Sequence, residues 1–161
     1  MMDKLTTDNL RTLQRPFSKR DYEFTRGFCY LTEEAITGRI EEVDPNWTFE
    51  IMAIDHLNNE ATVRARLTIK DTFRDGVGMQ KLNEKVGDTD KGAATDALKR
   101  AARLFGIGRH LLDAPQEGPQ FDKWLADLQR DYGILPPKPT VTSANGAQGP
   151  ATSAQPATVQ E

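Results

Sequence analysis

Apolar positions recur along the chain in two rhythms, one helical and one alternating, and each rhythm predicts its own elements. Leu10 and Leu13 share a face of the stretch from Thr7 to Gln14, which Pro16 stops, so a short helix is expected there. The aromatic, β-prone run from Phe24 to Leu31 turns at Gly27 and predicts one or two short strands. Thr32 is a good N-cap, followed by Glu33 and Glu34 where a helix N-terminus favours anions. Ile36, Ile40 and Val43 then repeat at helical spacing, giving an amphipathic helix that ends at Asp44-Pro45-Asn46.

Alternation takes over next. Trp47, Phe49, Ile51 and Ala53 interleave with Thr48, Glu50 and Met52, and Asn58-Asn59 marks a turn. From Ala61 to Lys70 the pattern is clearest: Val63, Ala65, Leu67 and Ile69 face one way, and Arg64, Arg66, Thr68 and Lys70 the other. A third strand near Thr72–Met79 carries Gly76 and Gly78. Such tight connections predict an antiparallel meander. Lys81 to Lys91 is polar and reads as a loop or a frayed end. The strongest helix runs from about Lys91 to Phe105, with Ala94, Leu98, Ala101, Ala102 and Phe105 at helical spacing and Gly106 as its C′ residue. Ile107 to Leu112 adds apolar anchors around Gly108. Phe121, Trp124, Leu125, Leu128 and Tyr132 predict a last helix, stopped by Gly133 and Pro136. The element order predicts an α+β fold in which helices lie on one face of a curved antiparallel sheet of three to four strands.

Composition divides the chain into a folded part, residues 1–135, and a tail. Pro136 to Glu161 is Pro, Ala, Thr, Ser, Gln and Gly with no aromatic residue, so a disordered, low-complexity tail is expected over 136–161. Cys29 is the only cysteine, which excludes an internal disulfide and a Cys-rich zinc site and suggests a reducing, cytoplasmic setting. No apolar run is long enough to span a bilayer, and MMDKLTTDNL has no secretory h-region, so no membrane association or export is expected.

Net charge is −3, but the charge is segregated. Residues 27–60 hold one basic residue, Arg39, against eight acidic ones, whereas residues 61–85 hold six basic against three acidic. A polyanion responds to the local field and not to the sum. On a helical wheel Lys99, Arg100 and Arg103 fall within an arc of about 100°, with the apolar residues centred roughly 160° away. A solvated helix face accounts for this cluster on its own; a stripe that tracks phosphates is the sharper reading, because neutralising a phosphate releases condensed counterion. Arg64, Arg66 and Lys70 form a second row with the same two readings. Arg26 stands beside Phe24, Phe28 and Tyr30, a mixture of cations and rings that suits single-stranded nucleic acid. Core packing is the reading taken for Phe24 and Phe28.

Thr95-Asp96-Ala97-Leu98-Lys99-Arg100-Ala101-Ala102-Arg103-Leu104-Phe105-Gly106 resembles the signature helix of the Rad52/Rad22 superfamily of single-strand annealing proteins. Its continuation Ile107 to Pro115 is most like the bacterial and phage branch, the DNA damage response protein A group. Asp44-Pro45-Asn46-Trp47, Asp75-Gly76-Val77-Gly78 and Tyr22 to Arg26 line up in order as supporting segments, so the resemblance covers roughly residues 8 to 115. It implies a core that assembles into a homo-oligomeric ring or arc, with single-stranded DNA in a positive groove around the outside, backbone inward and bases outward. Lys99, Arg100 and Arg103 resemble the groove cations and Arg26 their partner from the first hairpin, with Lys70, Arg64 and Arg66 as weaker candidates. Eukaryotic members also use lysines at an outer site. Here the corresponding turn reads Asn58-Asn59-Glu60-Ala61, with only Lys81 and Lys85 near the other positions, so the resemblance gives that site no footing.

The activity this implies is sequence-independent binding of single-stranded DNA and annealing of complementary strands in recombination and repair, in a bacterial nucleoid or a phage-infected host. No cofactor or metal is expected, and recombination or single-strand-binding proteins are the candidate protein partners. The absence of a GxxxxGK[ST] run disfavours ATP-driven chemistry. A protein that coats or protects strand ends without annealing them is the alternative. A nuclease built on Asp71, Asp75, Asp88 and Asp90 has no metal-ligand spacing behind it, and His56 and His110 stand alone.

Overall fold

In the computed structural model, which describes residues 3–82 and 86–139, four helices and two antiparallel sheets form in the α+β order expected. Helix α1 (Thr7–Gln14) is capped reciprocally: Thr6 Oγ1 accepts from the Asn9 amide at 3.2 Å, and Asn9 Oδ1 accepts from the Thr6 amide at 3.1 Å. Strands β1 (Tyr22–Thr25) and β2 (Phe28–Leu31) form a separate two-stranded hairpin. Its turn residues, Arg26 and Gly27, both take positive φ, the combination that two-residue hairpins favour. Helix α2 (Glu33–Val43) begins at its Thr32 cap and buries Ile36, Ile40 and Val43 as expected. The tail expected from residue 136 lies, from 140 on, outside the described residues.

The larger sheet is β3 (Thr48–Leu57), β4 (Glu60–Ile69) and β5 (Thr72–Lys81), in sequence order. Asn58 and Asn59 take the positive-φ turn positions between β3 and β4. The alternation read in β3 fails halfway. A bulge between Ile51 and Ala53 shifts the register, so Phe49 and Ile51 oppose the buried Leu67 and Ala65 while Ala53 opposes Arg64. Along β4, Ala61, Val63, Ala65, Leu67 and Ile69 are all buried on the helix-covered face.

Helix α3 (Val86–Leu104) starts before the Lys91 expected for it, in the segment read as a loop. Thr89, Ala93, Ala97 and Ala101, one every four residues, are all fully buried, so a stripe of small residues carries the helix back beyond the larger apolar positions. This stripe lies on the sheet. A Cβ at Gly76 would overlap the Ala97 carbonyl oxygen, and one at Gly78 the Ala93 carbonyl and the Ala97 nitrogen. The glycines of β5 therefore let α3 approach backbone to backbone. A 3-10 turn (Arg109–Asp113) and helix α4 (Pro119–Asp131) close the core with Phe121 and Leu125.

Two polar groups hold the junction of α1, α2 and α4. Arg39 is buried, and its Nη1 donates to the Thr12 and Arg15 carbonyls at 3.0 and 2.6 Å while the guanidinium lies 4.1 Å from the Phe17 ring centre. It satisfies carbonyls that the end of α1 leaves open. Burial pulls its pKa down, and Glu42 at 3.6 Å opposes the shift. The Tyr22 hydroxyl accepts from the Phe17 amide at 3.2 Å and shares a hydrogen bond with His110 Nε2 at 2.8 Å, within a cluster of Phe17, Phe121 and Trp124. Burial pushes Tyr22 up to about 12 and His110 down to about 4.

A pH dependence follows. Because the folded pKa of His110 lies below the ordinary 6.5, the unfolded chain takes up the proton first. Stability is fully present above about pH 6.5, is lost as the pH falls towards 4, and changes no further through this group below that. The loss is on the order of 3 kcal/mol. Urea midpoints between pH 7 and 4 for wild type and His110→Gln check it; equal slopes in the two proteins would refute this role for His110.

Candidate nucleic-acid interface

Packing alone fixes which side of α3 meets solvent. With Ala93, Ala97 and Ala101 against the sheet, and Leu98, Ala102 and Phe105 in the main core, Arg100 and Arg103 are left exposed and Lys99 half-buried. These cations do not point one way. The Nζ of Lys99 lies 6.0 Å from the Tyr30 ring centre, beside the β1–β2 hairpin. Arg100 leans the other way, its Nε donating at 3.0 Å to an Asp96 oxygen that also accepts the Met79 amide of β5 at 3.1 Å. Among the described residues neither Lys99 nor Arg103 is paired with a carboxylate.

Arg26 sits at the tip of the hairpin, in the first turn position, exposed. The hairpin is anchored from behind by Phe24, whose ring meets Phe121 edge-on at 4.8 Å. Phe24 thus packs as expected, but Phe28 does not. Its cross-strand partner is Thr25 on the outer face of the ribbon, and it is 65% exposed. The parity of a two-stranded ribbon decides this: the core takes Tyr22, Phe24, Cys29 and Leu31, leaving Phe28 and Tyr30 outside.

The second row of cations is dispersed. Arg64 and Arg66 lie on the face of β4 turned away from the buried residues and from α3. Arg66 makes two hydrogen bonds to the Asp75 carboxylate, at 2.7 and 2.9 Å, and lies 4.0 Å from the centre of the Phe73 ring. These contacts hold the Asp75 carboxyl below the usual carboxylate range. Lys70 has left the strand altogether. It takes positive φ in the β4–β5 turn, its amide donates to the buried Asp44 carboxylate, and its side chain is 17% exposed with Asp3 4.0 Å away. The alternation that placed it beside Arg64 and Arg66 ends at Ile69, where the turn begins.

One cation that alternation overlooked belongs with α3. Arg74 shares a β5 face with Gly76 and Gly78, and its guanidinium lies 5.4 Å from the centre of the Phe105 ring. Its spacing of two from Gly76 is the signal that could have placed it. The carboxylates considered for a metal do not converge: Asp75 holds Arg66, Asp90 meets His56 at 2.7 Å, and Asp71 accepts from the Leu5 amide at 3.0 Å. Among the described residues, no group of three or more acidic, His or Cys side chains is placed to hold a metal ion. No described helix is long and apolar enough to cross a membrane.

Residues 4–123 match the family model described as Rad52/22 family double-strand break repair protein. The chain is similar to the single-stranded DNA-binding protein DdrA of Deinococcus radiodurans, with 33% identity over 112 residues that make up 69% of this chain and 50% of the relative. It is also similar to the protein of the same name from Deinococcus deserti, with 36% identity over 115 residues, 68% of this chain and 51% of the relative. The chain thus spans about half the length of these curated relatives.

Proposed function

Because the chain belongs to the Rad52/22 family of double-strand break repair proteins, we propose that it binds single-stranded DNA along the solvent side of α3 and anneals complementary strands without nucleotide hydrolysis. The observation that carries the reading is the pair Lys99 and Arg103, two cations one helical turn apart with no carboxylate partner among the described residues, over a stripe buried on the sheet. Arg100, Arg26 and Arg74 extend the positive surface to either side. Phosphate contacts of this kind give affinity that falls steeply with salt and is nearly indifferent to sequence. A strand held with its bases unpaired meets its complement at lower entropic cost, which is all that annealing requires. Arg64 and Arg66 stand on the opposite face of the sheet, and Lys70 is held in its turn, so these three are secondary to the α3 cations in this reading.

The same reading makes the protein a homo-oligomer, a ring or an arc, acting in a bacterial cytoplasm beside recombination or single-strand-binding proteins. Two features support self-association: β3 is an edge strand with one neighbour in the described sheet, and its Ile51 and Ile54 are 43% and 47% exposed. A second reading, coating or end protection without annealing, is favoured by the relatives' names, which mention binding alone. Mixing complementary oligonucleotides with the protein, with no nucleotide or metal present, decides between them. The expected result is annealing at least tenfold faster than spontaneous pairing; tight binding with no gain in rate selects the coating role.

A further inference from the structure

Arg100 differs from the other two cations of α3 in being tied down. Its Nε donates at 3.0 Å to Asp96 Oδ2, one turn earlier on the helix, and the same oxygen accepts the Met79 amide of β5 at 3.1 Å. Lys99 and Arg103 have no carboxylate partner among the described residues. An exposed ion pair four residues apart adds little to the stability of a helix, so stability alone does not call for this arrangement. The packing beneath it is specific. Gly76 and Gly78 let α3 meet β5 backbone to backbone, and β5 is an edge strand, so the carboxylate next to Ala97 reaches a main-chain amide of the sheet. Asp96 is thereby fixed to β5, and Arg100 is fixed to Asp96. Only Nε is used. The two terminal nitrogens of the guanidinium bond to no other described residue, and the Arg100 side chain is 59% exposed against 35% for Asp96.

We propose that Asp96 is a positioning residue for strand binding: it holds the Arg100 guanidinium on the β5 flank of α3 with the terminal nitrogens free to take a phosphate. The assignment rests on the single-strand reading above and gives an acidic side chain a part in it. An arginine loses rotamer freedom when it grips a phosphate, and a side chain already held gives up less. The planar fork also suits a phosphate, offering two parallel N–H groups to two oxygens. The sign of the effect is diagnostic. A carboxylate beside a polyanion repels it, so through the field alone its removal strengthens binding. Where the carboxylate orders a phosphate-binding arginine, its removal weakens binding instead.

The test is a double-mutant cycle of wild type, Asp96→Asn, Arg100→Ala and the two combined, with affinity for a fluorescent oligothymidine read by equilibrium anisotropy over a salt series. Asparagine keeps the size of the side chain and an oxygen for the Met79 amide, so the helix stays on the sheet. Asp96→Asn is expected to bind about threefold more weakly than wild type at about 50 mM salt, part of the roughly eightfold that one phosphate contact contributes there, and with a shallower salt slope. In the Arg100→Ala background the same substitution is expected to strengthen binding about twofold, because only the repulsion is left to remove. An Asp96→Asn protein that binds as tightly as wild type, or more tightly, overturns the assignment and makes the carboxylate a competitor of the strand. Equal weakening in both backgrounds overturns it too, since that is the mark of a purely structural role. Arg100→Lys keeps the charge and loses the fork, so wild-type affinity in that variant also counts against it. An Arg100→Ala protein that binds like wild type removes Arg100 from the contact, and the role of Asp96 with it, while leaving Lys99 and Arg103 in place. Failure of wild type to bind the probe at all would remove the underlying single-strand reading itself.

Discussion

Lys99→Ala/Arg103→Ala is expected to bind single strands some sixtyfold more weakly at 50 mM salt, with the fold unchanged. Each cation that neutralises a phosphate on a single strand contributes about 0.7 to the slope of log affinity against log salt. At 50 mM salt that is roughly eightfold per contact, so two contacts multiply to the figure above, and the slope itself falls by about 1.4. Stability should move by no more than ~0.5 kcal/mol, since both side chains are on the solvent side and have no carboxylate partner to strand. Arg64→Ala/Arg66→Ala is the matching control: it also removes two charges, but from the far face of the sheet, and the smaller loss is expected there. Salt titrations of all three proteins check the assignment. Equal losses in the two variants would mean that total charge, and not the α3 ridge, governs binding.

The second large effect is on stability. Gly78→Ala is expected to destabilise the domain by about 3 kcal/mol or more, because its new methyl meets backbone and not a movable side chain. The atoms it meets are the Ala93 carbonyl and the Ala97 nitrogen, both inside α3, so relief requires the whole helix to lift from β5. Lifting it would also expose Ala93, Ala97 and Ala101, now fully buried. Gly38→Ala, on α2 with open space around the added carbon, serves as a control and should be neutral or slightly stabilising. Urea denaturation of the three proteins measures the difference; a Gly78→Ala protein as stable as wild type would mean that helix and sheet are not in backbone contact.

What could be read in advance follows a physical line. Elements built on one buried face were legible: α1, α2, β4 and the second half of α3 show their period because one side excludes water. The early turns of α3 were not, since Ala93 is buried against a glycine strand and small residues such as Thr89 and Ala93 give little hydropathic signal. The β3 bulge was also hidden, because Ile51, Met52 and Ile54 are all apolar and all more than 40% exposed, so no parity could be assigned from composition. Of the proposed interface, the cations of α3 were legible because helix geometry fixes their angle to the apolar face. Lys70 was misplaced by extending alternation one residue into a turn. Arg39 is the one basic residue of an acidic segment, yet it is buried, because the carbonyls at the end of α1 come from a distant part of the chain. The outward Phe28 was missed for the related reason that a ribbon has two sides and hydrophobicity does not say which one is covered.

The shared oxygen of Asp96 has a directional consequence. By taking the Met79 amide on the free border of β5 while holding Arg100, it occupies a donor that an incoming strand would need. The β3 border carries no such plug among the described hydrogen bonds. Extension of this sheet by another polypeptide is therefore favoured at one margin and obstructed at the other, and an intruder on the guarded side would have to unseat a carboxylate, setting loose the guanidinium it restrains.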